Sequence, residues 1–424
     1  MLEILLIFAI VMIAIRLNFS LGNGFLIGTV CMGLVFGMPF SGILQSVLGT
    51  LVQANTIALC TIVSLILILS HSMEEIGQMT RLMDRYQGLV NHHLLNLIVF
   101  PALIGLLPMP GGTVFSAPMV KNLGRRLDLS GARLSYINYW FRHIWEYCWP
   151  LFPGVLLATT LSGIDIWTFA ALLSPLTVAA LGFGCWPLRN LKNAGPEISP
   201  PVASNDGRMK AFLYELQPIL LVIGMGLGLQ ATLNFLPQRL ASGIPGESGM
   251  IISLLLAIGW VWHRNRMTGS QWRGLVFRRE MAAMIYMIVG ILMFKGVLQD
   301  SGAAQVVSRE LIQLKIPLFL IVIVLPMLVG AVCGITVAFV GTTFPVLVSL
   351  IVSSGQGGLM PAYVMLAMVS GFTGVLFSPL HLCLVLSNQY FGITPAGVHR
   401  YLIYPCMGVM ISACIYFAIL QAVN

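Results

Sequence analysis

The chain has 424 residues, 58% hydrophobic and only 8% charged, with a net charge of +8 and a mean hydropathy of +0.93. A soluble domain carries about 25% charged residues, so this composition excludes a water-soluble globular protein. The basic excess lies in short connections between apolar runs, which is a topology signal and not a nucleic-acid footprint.

Runs long enough to cross a bilayer, about 17–25 residues, are expected at 2–18, 22–50, 54–73, 134–160, 165–186, 212–236, 248–263, 281–299, 362–388 and 399–421. The first has no basic segment ahead of it and no A-x-A-like cleavage site behind it, so it reads as a retained span. Glu74, Glu75, Arg81, Asp84 and Arg85 alternate in sign after the third run and read as an interfacial helix. Two further stretches, 94–120 and 317–352, are apolar but interrupted by Pro and Gly.

The connections orient the spans. Lys121, Arg125, Arg126 and Arg133 occupy one, Arg189, Lys192, Arg208 and Lys210 a second, and Arg264, Arg266, Arg273, Arg278 and Arg279 a third. Two spans separate each from the next, so all three share one face, the cytoplasmic one by the positive-inside rule. Both chain ends then fall outside, in the inner membrane of a bacterium or archaeon. The stretch 187–211, rich in Pro, Ser and Asn, reads as a cytoplasmic linker between halves 1–186 and 212–424.

The halves repeat a pattern. Pro101 and Gly105 match Pro326 and Gly330, Pro118 matches Pro345, Tyr136 matches Tyr363, Pro150 matches Pro379 and Ile164 matches Ile393, at offsets drifting only from 225 to 229. Five spans per half reverse the second copy relative to the first. This is the inverted-topology repeat of many secondary transporters, whose sites lie near the midplane where helices are discontinuous. The expected fold is therefore all-α and polytopic, with about ten transmembrane helices and two re-entrant hairpins.

Four prolines and three glycines between Phe100 and Val120 cannot sit in one regular helix, each interior Pro costing about 3 kcal/mol. A re-entrant hairpin with its tip at 108–112 satisfies both the breaks and the apolarity. Freed N–H groups at Gly111, Gly112 and Thr113 would suit an anion, although a Pro-kinked structural hairpin would have the same composition. In the second stretch Gly334, Thr336, Gly341, Thr342 and Thr343 are small or hydroxyl-bearing, and Thr342 and Thr343 are the better candidates for ligand contact. Small-residue helix packing is the alternative.

A span broken by proline follows each hairpin. In 134–160, with Pro150 and Pro153, Arg142, His143 and Glu146 share one helix face. Ionisable groups at such depth mark pathways or proton relays, unless Arg142 and Glu146 simply neutralise each other. In 362–388 the break falls at Ser378-Pro379, beside His381. The eight cysteines show no CxxC pair and no metal spacing, so neither metal nor cofactor is expected.

The runs LLPMPGGTVFSAPMV (106–120) and YINYWFRHIWEYCWPLFPG (136–154) resemble an uncharacterised ten-span membrane family, domain of unknown function 401, distantly similar to gluconate permeases of the ion transporter superfamily. The resemblance covers nearly the whole chain. It implies two re-entrant hairpins, two broken helices and elevator-type movement, with organic anions as cargo and sodium or protons as coupling ions. The Ser-Asn-Thr motifs of the sodium-coupled dicarboxylate branch are absent, Pro110-Gly-Gly-Thr113 and Gly341-Thr-Thr343 standing in their places. Glu146 and His143 favour protons, with sodium the other candidate.

The resulting expectation is proton-coupled symport of a small organic anion, a sugar acid or other carboxylate, by a homodimer in the bilayer. Gly111, Gly112, Thr113, Ser116, Asn138, Arg142, Thr342, Thr343, Ser378 and His381 would bind the anion, and Glu146 with His143 would carry the proton. The rival readings are an exporter or cation/proton antiporter on the same fold, and a membrane-embedded enzyme or lipid-handling protein. Against enzymatic activity, the sequence has no nucleophile–base pair and no phosphate loop.

Overall fold

The computed structural model describes residues 2–17, 19–87, 89–90, 92–109, 112–189, 205–235, 247–303, 305–306, 310 and 316–423. Of the expected linker, residues 190–204 lie outside these, while 205–211 open the helix Asn205–Phe235. The described elements are helices joined by turns. Seven are long and apolar enough to cross a membrane: Ala54–Glu75, Ile166–Leu188, Gly207–Thr232, Gly269–Asp300, Thr336–Ser353, Gly357–Phe391 and Ala396–Val423. The protein is thus a multi-pass α-helical membrane protein. Its outer surface agrees: Ile403, Met407, Ile411, Ile415 and Ile419, four apart on the last helix, are all exposed. Such a stripe is costly in water and at home in hydrocarbon.

The run 22–50 is not one helix but two, Leu21–Val35 and Phe40–Leu51. Gly37 takes φ +73°, and the N–H of Met38 donates to the carbonyl of Gly33 at 2.8 Å. That is a Schellman stop, and Pro39 then caps the next helix. The charged stretch after the third run does form a short helix, Gln78–Tyr86, burying Met79, Leu82, Met83 and Tyr86.

Each Pro/Gly-interrupted stretch is a pair of helices packed against each other. His93–Ile104 and Thr113–Arg126 form the first hairpin. Leu318–Cys333 and Thr336–Ser353 form the second, turning at Gly334 with φ +66°. A discontinuous helix follows each. The first runs Gly131–His143, tightens into a 3₁₀ turn over Ile144–Tyr147 and resumes at Pro153–Ser162. The second runs Met360–Phe377, stops at Ser378-Pro379 and resumes at Leu382–Phe391.

The two hairpin–helix pairs pack alike. A Cβ on Gly105 would lie 2.1 Å from the carbonyl oxygen of Arg142, and one on Gly330 would lie 2.1 Å from that of Gly371. One turn away, Trp145 Nε1 donates to the carbonyl of Ala102 at 2.8 Å, and a Cβ on Gly374 would meet the carbonyl of Met327 at 2.1 Å. These contacts pair residues at the same 225 and 229 offsets as the sequence pattern. Beside the first hairpin, where Tyr86 packs on Phe100, Glu215 accepts from Arg264 at 2.7 Å and faces Arg81 at 3.5 Å. Gln78 donates to the Glu215 carbonyl, so the short helix and the helices Asn205–Phe235 and Ser248–Arg264 are tied together.

Candidate functional site

Both hairpin turns and both helix breaks meet in one buried cluster. At the first hairpin tip, the Nη2 of Arg142 donates to the carbonyl of Met109. A Cβ on Gly112 would sit 2.6–2.8 Å from the guanidinium, so the bare backbone there lets Arg142 lie against the turn. Arg142 is 5% exposed, yet its Nε and Nη1 have no hydrogen-bond partner among the described residues. A buried guanidinium with idle donors is an uncommon and costly arrangement.

At the second tip, His381 Nδ1 bonds the carbonyl of Gly334 at 2.8 Å, and His143 Nδ1 bonds the carbonyl of Tyr139 at 2.6 Å. A carbonyl only accepts, so both Nδ1 atoms carry the proton. The two Nε2 atoms then face each other at 3.1 Å. Two imidazole lone pairs at that distance repel unless a cation lies between them. The Tyr139 ring backs both imidazoles, its centroid 4.6 Å from His143 and 5.4 Å from His381.

Glu146 closes the cluster. Its Oε2 accepts from Thr336 Oγ1 at 2.9 Å, and its Oε1 lies 3.7 Å from His143 Nε2. The 3₁₀ turn carrying it swings its carboxylate away from Arg142, with which it forms no ion pair among the described residues. The self-neutralising alternative is therefore not the arrangement adopted. Cys383 joins from the second break: donor atoms of His143, His381 and Cys383 lie within 4.8 Å of one another, close enough for one cation to touch all three.

One turn before Arg142, a polar chain crosses the apolar core. Ser116 Oγ donates to Asn138 Oδ1 at 2.6 Å, and Asn138 Nδ2 donates to the Thr113 carbonyl at 3.0 Å and to Ser387 Oγ at 3.1 Å. Ser135 Oγ donates to Asn388 Oδ1 at 2.8 Å. These residues are buried, and Thr113 Oγ1 and Asn388 Nδ2 have no partner among the described residues.

Of the expected site residues, Arg142, His143, Glu146 and His381 come together, Gly112 packs on Arg142, and Thr113, Ser116 and Asn138 form the neighbouring chain. The Gly112 N–H donates to the Met109 carbonyl at 3.2 Å within the turn. Gly111 lies outside the described residues. Ser378 accepts from the Leu380 N–H and would contact a Cβ at Gly334. The hydroxyls of Thr342 and Thr343 bond carbonyls of their own helix at Ala338 and Phe339. The turn is instead at Gly334, and Thr336, at the start of the returning helix, makes the contact. The signal was present as a Cys-Gly-Ile-Thr break, Gly being the residue that ends helices in the left-handed region. Cys383 carried no such signal, since its partners lie far away in sequence.

The chain matches the family described as Protein of unknown function (DUF401) over residues 1–420, and it belongs to that family. No curated protein matches it.

Proposed function

We propose that this family member is a secondary active transporter that carries a small organic anion across the cytoplasmic membrane together with a proton. The observation that carries the reading is the buried guanidinium of Arg142, with idle donors beside a hairpin turn. Nε and Nη1 lie on opposite edges of the planar guanidinium, so a carboxylate could take a fork on either edge, pairing one of these idle donors with the second hydrogen of Nη2. The two hairpin–helix pairs, packed alike, support a two-repeat transporter with inverted topology, in which an elevator-type displacement of hairpins and broken helices exposes the cluster to either side.

The proton belongs to the three groups facing the Gly334 turn. His143 and His381 require a cation between their Nε2 atoms, and Glu146 sits beside them, bonded to Thr336. Arg142, fixed in charge, and Cys383 are the other ionisable groups at hand. The guanidinium disfavours a divalent ion more than a monovalent one, and the 3.1 Å separation of the two Nε2 atoms is that of an N–H···N hydrogen bond, which favours a proton over sodium as occupant. Transfer between the histidine pair and Glu146, gated by an anion on Arg142, supplies the coupling.

Purified protein in liposomes should accumulate a sugar acid or other carboxylate under an inward proton gradient. Glu146→Gln should abolish the gradient-driven uptake while leaving anion exchange. Unchanged dependence on the gradient would overturn the role of Glu146, and absence of carboxylate flux in either direction would overturn the transport reading. Export or cation/proton antiport draws on the same His143, His381 and Cys383 trio. Cation flux opposed to protons, with no anion movement, would favour it.

A further inference from the structure

A second built feature lies away from this cluster, at the face that bears the basic connections. A cavity of about 830 Å³ there is lined by three arginines from three separate elements. Arg133 opens the first broken helix, Arg189 follows the helix Ile166–Cys185, and Arg400 opens the last helix. Among the described residues no acidic side chain lines the cavity, and none of the three arginines forms an ion pair with them.

Aromatic rings hold these cations in place without neutralising them. The Arg189 guanidinium lies 4.0 Å from the Trp186 ring centroid. Arg400 and Arg133 lie 4.8 and 5.7 Å from that of Tyr401. The Nε of Arg133 is buried with no hydrogen-bond partner among the described residues. Such a set awaits an anion with several oxygen acceptors.

The shape of the cavity selects the kind of anion. From the arginines it continues along Phe183, Met407, Gly408 and Ile411, and Met407 and Ile411 belong to the exposed apolar stripe of the last helix. Gly408 lets the Phe183 ring lie directly against the last helix, since a Cβ there would meet that ring at 2.5 Å, and the exposed Phe183, Met407 and Ile411 side chains form the trench. From Arg400 to Ile411 the helix rises about 16 Å, roughly half the hydrocarbon thickness. A polar end at the interface and an apolar trench toward the membrane centre match an amphiphile and not a free phosphate.

We infer that this cavity is a binding site for an anionic phospholipid, with the headgroup phosphate on Arg133, Arg189 and Arg400 and an acyl chain along Phe183, Met407 and Ile411. Basic pockets between transmembrane helices on the cytoplasmic side take such headgroups. The inference does not rest on the transport reading and uses none of its residues.

Native mass spectrometry of detergent-purified protein tests it, with phosphatidylglycerol and phosphatidylcholine added in turn. The wild type should retain phosphatidylglycerol in preference to phosphatidylcholine. Arg189→Gln with Arg400→Gln should lower that retention roughly 30-fold, the effect of two interfacial charges, while the double Lys variant keeps most of it. Both arginines are exposed, so the variants should remain folded by size exclusion. Met407→Ser with Ile411→Ser, with every arginine intact, should also reduce retention by removing the apolar wall of the trench, both residues being exposed. Equal retention by the wild type and the Gln variant would overturn the assignment. So would thermal stabilisation by inorganic phosphate or glycerol 3-phosphate as large as that by phosphatidylglycerol, which would identify a soluble anion as the ligand.

Discussion

Arg142 and Glu146 were one turn apart in the sequence and invited a single interpretation, yet the fold sends them to different hairpins. Arg142 reaches the Met109 turn and Glu146 reaches Thr336. A functional guanidinium and a structural one predict opposite outcomes on removal. A residue that completes a satisfied ion pair costs about 3–5 kcal/mol when its partner is lost. Arg142 has no such partner among the described residues, so Arg142→Gln should leave the midpoint of thermal unfolding nearly unchanged or raise it, while abolishing anion uptake. Arg142→Lys keeps the charge without the fork and should raise the KM for the anion tenfold or more. Uptake kinetics and a detergent thermal melt on the same preparations decide between them. At this scale the sequence revealed the ionisable residues because charge is rare in an apolar span. It did not reveal their partners, since Gly334 contributes a carbonyl and Cys383 only its position.

Among the elements, the breaks were legible and the packing was not. Pro150, Pro153 and Pro379 announce discontinuous helices, because each lacks a backbone donor and crowds the preceding turn. The interruption at Gly37 was missed because the apolar run continues through it, and glycine within an apolar span is unremarkable as sequence. The same residue type is decisive where hairpin meets broken helix. Gly330 and Gly371 touch through backbone atoms, with 2.1 Å left for a Cβ at Gly330. Neither chain can give way as a flexible side chain would, so Gly330→Ala should cost about 3 kcal/mol or more, at the upper end for overpacking. Gly49, on the exposed face of Phe40–Leu51 with no atom within 4 Å of a built Cβ, is the control. There the alanine should be neutral or stabilising by about 0.5–1 kcal/mol. Equal effects at both sites, by thermal melts in detergent, would show that the hairpin–helix contact is looser than its geometry.

For the molecule as a whole, the decisive question is whether the loops sort onto two faces as the basic connections require. The fold brings Arg133, Arg189 and Arg400 to one cavity, and joins Arg278 to Glu75 at 3.1 Å and Arg81 to Asn265 at 3.4 Å. All of these belong to segments that charge assigns to the cytoplasm. Asn55, Gly163, Asp165 and Glu247, from connections assigned to the outside, line a cavity of their own. The grouping is independent of the charge rule, because it follows from packing alone. None of the eight cysteines forms a disulfide among the described residues, so a background with each replaced by Ala or Ser allows single cysteines to be read. Cysteines at 165 and 247 should react with a membrane-impermeant maleimide in intact cells. Those at 210 and 273 should react only after permeabilisation. Reversal of the whole pattern would leave the two-faced arrangement intact and invert only its orientation. Labelling of 165 and 210 from the same side would mean that Ile166–Leu188 does not cross the membrane, and an inverted two-repeat architecture could not stand.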